Sequence, residues 1–355
     1  MKKILFLPKY PRMGASSRLR TYQFLPLWEE AGYGVRVASF FNGGYLKDVY
    51  GQRRPSVWNV LGCYFRRFWV LMGAWRYDLI WVEKELFPYL PAWAEWLLAK
   101  LGPGYVVDYD DAVFHRYDTQ GNYLVRNLLG RKIDRVMARA KTVFAGNEYL
   151  AQRAKAAGAK SVILLPTVID PNRYRKKEAH ASGKVWIGWI GSPSTLKYVK
   201  AIKQELEEVC REANAGLLLV NGHDGFSFQG DLKMIPWTEA GEVEAILQMD
   251  IGIMCLPDNE WERGKCAYKL IQYMACGLPV VASPVGMNVE VVRNGENGFL
   301  AAGSAEWKEA LLTLVRDAGM RKRLGEKGFE LVQERFTLKG NFEVMRGEVR
   351  GQSGF

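Results

Sequence analysis

Short apolar runs alternate with longer segments of helical periodicity through most of the chain. Eleven of these runs are predicted strands: Ile4–Pro8, Val35–Ser39, Leu79–Val82, Tyr105–Asp108, Thr142–Ala145, Val162–Leu165, Val185–Ile190, Gly216–Val220, Lys233–Ile235, Ile251–Met254 and Pro279–Ala282. Most are apolar throughout, which is typical of parallel strands that are buried on both faces of a sheet. The pattern therefore predicts an α/β fold made of doubly wound domains.

The series of strands divides at a polar stretch, residues 166–184, which contains Pro171. A chain of 355 residues also exceeds what one hydrophobic core usually organises. We predict a first domain over residues 1–168, a linker over 169–184 and a second domain over 185–335. The charged, helical tail, residues 336–355, is expected to return to the first domain.

The composition is that of an ordinary globular protein, with 48% hydrophobic and 25% charged residues. The 5 cysteines are scattered without a C-x-x-C pair, which is typical of reduced thiols in the cytoplasm. The 3 histidines have no metal-ligand spacing, so we expect no metal. The apolar start of the chain is too short for a signal peptide, and no run is long enough to span a membrane. We therefore expect a cytoplasmic protein.

The net charge of +11 is concentrated near the start of the chain. Residues 1–76 carry 13 Lys and Arg against 3 Asp and Glu, and residues 53–77 mix arginines with aromatic side chains. Two interpretations stay open for that segment. It is either a helix that lies on an anionic membrane surface or a core helix with solvated arginines. The first would place a lipid-linked acceptor at the inner face of the plasma membrane. Nucleic acid is not an expected partner, since no base-stacking or groove-reading motif is present.

The segment after the first predicted strand is a candidate anion site. Gly14 permits close approach of the backbone, and the serines at the next helix start can cap it. Arg18 and Arg20 add charge-assisted hydrogen-bond donors. We take Gly14 as donor-binding and Ser17, Arg18 and Arg20 as acceptor-binding, against the alternative of a glycine turn with solvated arginines.

Residues 188–197, after the first strand of the second domain, form a candidate phosphate cradle. It combines a glycine, hydroxyl groups and a lysine, and the alternative is a simple capped helix start. The candidate donor-binding residues here are Gly191, Ser192, Thr195 and Lys197.

Residues 262–286 give the strongest signal. A helix is predicted to start near Lys265, and Gly277 then ends it before a strand. Lysines at a helix N-terminus oppose the helix dipole unless an anion lies there, so Lys265 and Lys269 indicate a diphosphate site. Leu270 and Gln272, in the same helix, complete the candidate donor site.

Carboxylates also follow a buried strand in the first domain. Asp110, Asp111 and His115 come just after it and are the candidate catalytic residues. The alternative is that one Asp caps a helix and the others are solvated.

The segment Gln272-Tyr-Met-Ala-Cys-Gly-Leu-Pro-Val-Val-Ala282 resembles the donor-site helix of family 4 retaining glycosyltransferases of the GT-B fold. Residues 284–300, 143–150 and 164–170 resemble other parts of that family. The resemblance implies two Rossmann-like domains with a cleft between them, the acceptor on the first and the nucleotide sugar on the second. It implies transfer from a nucleoside diphosphate sugar with retention of configuration, and no cofactor or metal. Lys197, Lys269 and Gln272 take the positions of donor-binding residues.

The sequence departs from the family at three positions. The first of the two family glutamates falls on Gly264, so its contact with the donor sugar is absent or supplied by Glu262 or Glu260. The second falls on Gln272, and the loop arginine of the family is Ser192, whose charge Arg263 or Lys265 can replace.

The expected function is hexosyl transfer to a saccharide or lipid-linked acceptor in the synthesis of a surface polysaccharide or glycolipid. Two alternatives stay open. One is a GT-B epimerase or hydrolase acting on the nucleotide sugar, and the other is a non-catalytic GT-B partner subunit.

Overall fold

The computed structural model describes residues 1–51, 53–178, 183–222 and 225–351. The chain forms two compact units. Unit 1 comprises Met1–Thr167, Gly264–Cys266 and Asn341–Phe355, and unit 2 comprises Val168–Arg263 and Ala267–Gly340. Parts of the predicted linker (179–182) and of the predicted tail (352–355) lie outside the described residues.

Unit 1 is built on a six-stranded parallel sheet with the order β2-β1-β3-β4-β5-β6. Its strands are β1 (Lys3–Leu7), β2 (Gly34–Val37), β3 (Leu79–Glu83), β4 (Tyr105–Tyr109), β5 (Val143–Ala145) and β6 (Val162–Leu164). Its helices are α1 (Ala15–Arg20), α2 (Leu25–Glu30), α3 (Gly43–Tyr50), α4 (Val57–Met72), α5 (Trp93–Leu101), α6 (His115–Asp118), α7 (Tyr123–Leu129), α8 (Lys132–Arg139) and α9 (Glu148–Ala156).

Unit 2 contains a second six-stranded parallel sheet, with the order β12-β11-β10-β7-β8-β9. Its strands are β7 (Val185–Ile190), β8 (Ala215–Val220), β9 (Asp231–Ile235), β10 (Ile251–Met254), β11 (Val280–Ala282) and β12 (Gly298–Leu300). Its helices are α10 (Leu196–Ala201), α11 (Lys203–Glu212), α12 (Glu242–Ile246), α13 (Glu260–Arg263), α14 (Tyr268–Ala275), α15 (Asn288–Val291), α16 (Ser304–Arg316) and α17 (Ala318–Arg335). A last helix, α18 (Leu338–Gly351), belongs to unit 1 from Asn341 onward.

The predicted α/β fold with two doubly wound sheets is confirmed. All eleven predicted strands are present, with small differences at their ends. The sequence did not predict β12, which is only 3 residues long. Nor does the donor-site helix begin near Lys265: α14 begins at Tyr268, because Ala267 has a left-handed backbone with φ of 49°.

Aromatic side chains fill the core of unit 1 because its central strands are buried on both faces. Trp81 of β3 stacks on Phe144 of β5, with ring centroids 4.7 Å apart. Trp28 of α2 lies edge-on to Phe342 of α18 at 5.0 Å. The final helix therefore completes the core of this unit.

In unit 2, α17 packs directly on the end of α14. A Cβ atom at Gly325 of α17 would lie 2.0 Å from the backbone oxygen of Gly277, which follows α14. Only glycine permits this approach, so Gly325 helps to fix the position of α14.

The order of the strands defines where ligands are expected. In each sheet the strand order reverses once, between β1 and β3 in unit 1 and between β7 and β10 in unit 2. Ligands of open α/β sheets bind outside the carboxyl ends of the strands at such a switch point. Among the helices that the structure describes, none has the length and apolarity that crossing a bilayer requires.

Candidate functional site

Lys84 lies at the switch point of unit 1, directly after β3. Its φ of 69° is left-handed, a conformation that a non-glycine residue keeps only when its surroundings impose it. The Lys84 amide donates to the Asp108 oxygen at 3.0 Å. The Lys84 ammonium lies 2.8 Å from Oδ1 of Asp110 and donates to Oγ of Ser16 at 3.0 Å. The fold therefore places one buried cation among the side chains that follow β1, β3 and β4.

This cation sets the charge state of Asp110. Burial acts to raise the pKa of Asp110, but Lys84 and Arg20 attract its ionised form, and hydrogen bonds from Lys84 and Ser16 favour it further. The resulting pKa is about 2. Asp110 is therefore a carboxylate at physiological pH, able to accept hydrogen bonds but not to act as a general acid.

Asp111 lies between two lysines. Its Oδ1 atom is 3.2 Å from Nζ of Lys265, and its Oδ2 atom is 3.7 Å from Nζ of Lys84. Asn147 donates from Nδ2 to the backbone oxygen of Lys265 at 2.9 Å. Unit 1 therefore brings Asp110 and Asp111, predicted as catalytic, together with Lys265, predicted as donor-binding. Those roles stay predictions.

His115, the third predicted catalytic residue, belongs to a different group of side chains. Its Nδ1 atom is 2.8 Å from Oδ1 of Asp118, and its Nε2 atom is 2.8 Å from the hydroxyl of Tyr149. Asp118 is also paired with Arg153 at 3.0 Å. The Nε2 contact thus connects α6 to Tyr149 of α9, while the Nδ1 contact lies within α6. A catalytic role for His115 stays a prediction.

The loop from β1 to α1 is more buried than the sequence suggested. A Cβ atom at Gly14 would lie 2.4 Å from Cβ of Tyr10, so no side chain fits there. Ser17 is buried and its Oγ accepts from the Tyr10 amide at 3.0 Å. Arg18 and Arg20 are buried too. The alternative of a glycine turn with solvated arginines is therefore contradicted, because both arginines lie inside unit 1.

Arg20 forms a two-point ion pair with Asp108 of β4. Its Nε atom donates to Oδ2 of Asp108 at 2.9 Å, and its Nη2 atom pairs with Oδ1. Its Nη1 atom donates to the oxygen of Leu165 at 2.7 Å. Acceptor binding by Ser17, Arg18 or Arg20 therefore stays a prediction, while the observed contacts of Arg20 hold the loop to the sheet.

The sequence reasoning missed Glu83 and Lys84, and it considered Ser16 only as a helix cap. Oγ of Ser16 lies 3.2 Å from Oε1 of Glu83 and 2.5 Å from Oδ2 of Asp110, and its one proton is donated to the nearer Asp110. Burial raises the pKa of Glu83. The signal was available, because charged residues 83–85 come directly after an apolar strand, the same rule that identified Asp110.

In unit 2, the loop after β7 carries a cluster of hydroxyl groups. A Cβ atom at Gly191 would lie 2.3 Å from the Trp189 ring, so glycine is required. Ser192 Oγ is 3.2 Å from Thr195 Oγ1, which donates to the Ser192 oxygen at 2.9 Å. Ser192 and Lys197 are exposed, and Nζ of Lys197 lies 5.0 Å from the centroid of the Tyr198 ring. The predicted cradle residues therefore lie in the loop after β7 and the first turn of α10, at the switch point of this sheet.

Tyr198 and Glu262 connect the two sides of that switch point. The Tyr198 hydroxyl donates to Oε1 of Glu262, and Asn259 accepts from the Glu262 amide at 3.0 Å. Burial and the bond to Glu262 raise the pKa of Tyr198. Glu262 is 3% exposed, and its buried Oε2 atom has no hydrogen-bond partner among the described residues. One carboxylate oxygen is thus left to accept a bond from a ligand.

Gln272 lies in a buried chain of hydrogen bonds. Its Nε2 atom donates to the Tyr174 hydroxyl at 2.9 Å, and that hydroxyl donates to Glu242 at 3.0 Å. Trp237 donates to the other oxygen of Glu242 at 2.9 Å. Because the only hydroxyl proton of Tyr174 goes to Glu242, the residue at position 272 must be a donor. A glutamine satisfies this requirement and an ionised glutamate does not.

Lys269 and Leu270 lie in the first turn of α14. Lys269 is half-buried, whereas the Leu270 side chain is fully buried and its amide donates to the Ala267 oxygen at 3.0 Å. The left-handed Ala267 precedes them without a side-chain cap. Donor binding by Lys269 therefore stays a prediction, while the side chain of Leu270 belongs to the core.

Gly264 explains why a glutamate is missing at its position. In unit 1, a Cβ atom there would lie 2.5 Å from Cβ of Ala112 and 2.7 Å from its backbone nitrogen. No side chain can be added without moving the backbone. Any contact made by a carboxylate to a donor sugar must come from elsewhere, and Glu262 has the free oxygen.

Comparison with known proteins identifies related chains. Residues 226–331 match the family model "Glycosyl transferases group 1". N-acetyl-alpha-D-glucosaminyl L-malate synthase of Bacillus anthracis is 26% identical over 203 residues, 52% of each chain. The chain therefore spans about half the length of that curated relative, and less of the others that it matches.

Solved structures are similar over nearly the whole chain. Sucrose-phosphate synthase from Thermosynechococcus elongatus has a TM-score of 0.73 at 15% identity, covering 99% of each chain. Anabaena HepE in complex with UDP-glucose has a TM-score of 0.64 at 18% identity, covering 99% of this chain and 100% of that one. These likenesses show the fold. The chain has the GT-B fold, and its residues 226–331 match the family model of the group 1 glycosyl transferases.

Proposed function

We propose that this protein is a retaining glycosyltransferase that moves a sugar from a nucleoside diphosphate sugar to a saccharide or lipid-linked acceptor. The observation that carries the proposal is the family match over residues 226–331, which contains β10, α13, α14 and β11. These elements flank the switch point of unit 2, where a ligand is expected. Synthesis of a surface polysaccharide or glycolipid in the cytoplasm is the role that we propose for this reaction.

The donor is held by unit 2. The hydroxyls of Ser192 and Thr195 and the ammonium groups of Lys197 and Lys269 bind the diphosphate, which becomes the leaving group. Positive charge placed at that group stabilises the negative charge that develops as the glycosidic bond breaks. HepE was solved in complex with UDP-glucose, so uridine is the first base to test.

Glu262 takes over the contact to the donor sugar that Gly264 cannot make. Its Oε1 atom accepts from Tyr198, which fixes the side chain, and its buried Oε2 atom is left to accept from a sugar hydroxyl. A hydrogen bond to a charged group contributes about 1.5–3 kcal/mol. Gln272 binds the ribose through its amide in this proposal.

No metal takes part in the proposed reaction. In unit 1 the carboxylates at the strand ends are already paired with lysines, Asp110 with Lys84 and Asp111 with Lys265. In unit 2 we assign Lys197 and Lys269 to the diphosphate and the carboxylate of Glu262 to the sugar. Basic side chains therefore supply the charge that a divalent cation would supply in other transferases.

Turnover with defined donors tests the function. We expect release of the nucleoside diphosphate from one donor among UDP-glucose, UDP-N-acetylglucosamine and GDP-mannose, accelerated by a saccharide or prenyl-diphosphate-linked acceptor. Glu262→Gln should lower kcat/KM by about 10- to 100-fold, because a neutral amide accepts a weaker bond from the sugar. Glu260→Gln, an exposed residue of the same helix, should change it less than about twofold.

The products separate the alternatives. NMR of the product should show the same anomeric configuration as the donor. Release that is equally fast without acceptor would identify a hydrolase. No release from any donor with any acceptor would contradict the proposal and favour a non-catalytic partner subunit.

A further inference from the structure

Helix α4 exposes a row of large apolar side chains. Their spacing of three or four residues places them on one face of the helix and of the short 3-10 helix that follows it. Trp58 is 82% exposed and Phe65 is 64% exposed. We call this row the α4 stripe: Val57, Trp58, Leu61, Phe65, Phe68, Trp69, Met72 and Trp75.

Both arginines of α4 donate hydrogen bonds to backbone oxygens of unit 1, although Arg66 is itself exposed. Arg67 is buried, and its Nη2 atom donates to the oxygens of Pro8 at 3.2 Å and Ala38 at 3.1 Å. Arg66 donates to the oxygen of Phe40 at 2.7 Å. The sequence left open a core helix whose apolar face packs on the sheet and whose arginines are solvated. The structure exposes that apolar face instead, whereas Arg66 is exposed as this interpretation expected. Hydrogen bonds from guanidinium groups hold α4 to unit 1, so its apolar face is left in water.

The exposed apolar surface continues beyond α4. Trp75 lies beside Gly102, at the end of α5, where an added Cβ would meet its ring at 2.8 Å. Helix α5 itself exposes Trp93 and Trp96. An apolar surface of this extent on a monomer marks an interaction site rather than scattered exposed residues.

Charges around the α4 stripe identify the partner. Residues 53–77 contain five arginines and no Asp or Glu. Arg53 and Arg54 are exposed before the helix, and Arg76 is exposed after it. Trp and Phe flanked by arginines are typical of a helix that lies in the interface of an anionic membrane. A second copy of the chain packed on the same face would bring these arginines against one another.

We propose that unit 1 docks on an anionic lipid bilayer through the α4 stripe. The aromatic rings lie at the boundary of headgroups and acyl chains, and Arg53, Arg54 and Arg76 contact lipid phosphates. The proposal of membrane docking rests on α4 and its flanking arginines and does not depend on the proposed glycosyl transfer. That the acceptor is lipid-linked follows only if the proposed glycosyl transfer also holds, because unit 1 is the unit that we expect to bind the acceptor.

Vesicle flotation tests the docking. The wild-type protein should float with vesicles of phosphatidylcholine and phosphatidylglycerol (3:1), and much less with phosphatidylcholine alone or at 0.5 M salt. The variant Trp58→Ser/Phe65→Ser/Trp69→Ser should have a vesicle–water partition coefficient at least about tenfold lower, because three aromatic rings that enter the bilayer are removed. For the variant Arg53→Gln/Arg54→Gln/Arg76→Gln, the partition coefficient should fall by a similar factor, and only on the anionic vesicles.

Two controls make the result decisive. Val289→Ser/Val344→Ser removes exposed apolar side chains outside the α4 stripe and should float like wild type. The nucleotide-induced rise in Tm should be unchanged in the aromatic variant, which separates failed docking from a failed donor site. The proposal would be overturned if the wild-type protein did not float with the anionic vesicles. It would also be overturned if the aromatic variant floated as well as wild type. A dimer in light scattering that the aromatic substitutions dissociate would overturn it too, because a second copy would then cover the stripe.

Discussion

Replacing Arg20 by methionine is expected to lower the free energy of unfolding of unit 1 by about 3–5 kcal/mol. The side chains of Arg20 and Asp108 are 2% and 1% exposed, so the substitution leaves a carboxylate buried without its partner. It also removes the donor that satisfies the oxygen of Leu165 at 2.7 Å. Urea unfolding at pH 7 measures the loss.

A second substitution tests the reason for that loss. Arg20→Met/Asp108→Leu removes both charges, and apolar pairs of similar volume often replace buried ion pairs without a large loss. The double variant should recover most of the stability that the single variant loses. Arg36→Met serves as the control, since this exposed arginine makes one hydrogen bond, to Tyr77. A single-variant loss below about 1 kcal/mol would show that the pair does not hold the β1–α1 loop.

Replacing Lys9 by methionine is expected to stabilise the protein at neutral pH and not at pH 10. Lys9 is 4% exposed, and its Nζ atom has no hydrogen-bond partner within the described part of the chain. Burial, and then the neighbouring charges of Arg116 and Lys84, lower the pKa of Lys9 from 10.5 to about 7, although Glu85 and Glu83 act in the opposite direction. The folded state therefore disfavours the charged form.

The direction of the pH dependence follows from the protons bound in each state. Between about pH 7 and pH 10 the unfolded chain holds the Lys9 proton and the folded chain has released it, so wild-type stability rises with pH in this window. Below pH 7 both states are charged and the full penalty remains. The shift from 10.5 to about 7 corresponds to a penalty on the order of 4–5 kcal/mol. Lys9→Met removes it, so the advantage of the variant is largest near pH 6.5 and vanishes near pH 10.

Urea unfolding at pH 6.5, 8 and 9.5 measures this difference. Lys200→Met, which replaces an exposed lysine of α10, should show no such trend. A difference between Lys9→Met and wild type that does not change with pH would mean that Lys9 is solvated in the folded protein. A buried, unpaired cation beside the switch point of unit 1 opposes stability, and such conflicts are typical of ligand sites.

The fold could be predicted largely from local sequence. Apolar runs of three to six residues are visible without any knowledge of their partners, so eleven strands and their parallel arrangement could be predicted. Strand β12 could not, because only two of its 3 residues, Phe299 and Leu300, are large and apolar. The start of α14 was missed because nothing in the periodicity shows that Ala267 is left-handed.

The site could be predicted only in part, because side-chain partners are distant in sequence. The β1–α1 loop contained the right residues, but Arg20 pairs with Asp108, 88 positions away. Lys84 was missed although its ammonium group contacts the side chains of Ser16, Asp110 and Asp111. For α4, the sequence predicted a helix with two possible orientations, and only the exposure of its aromatic side chains and the burial of Arg67 decided between them.

The departures from the family motif have physical reasons that the sequence could not show. Gly264 is required by the backbone of Ala112, and Gln272 by a tyrosine whose proton is already donated to Glu242. The loss of two family glutamates is therefore accommodated by the surrounding structure. Glu262 keeps a buried carboxylate at the switch point of unit 2.

The measurement that tests the central claim most directly is the thermal unfolding of the purified protein with UDP, GDP, ADP and CMP. A ligand that binds the folded state raises Tm by mass action. At a ligand concentration of 100 times Kd, the free energy of unfolding increases by about 2.7 kcal/mol. We predict a clear rise with one nucleoside diphosphate, lost in Lys269→Ala and retained in Lys200→Ala. The absence of any rise, or an equal rise in Lys269→Ala, would contradict the donor site in unit 2.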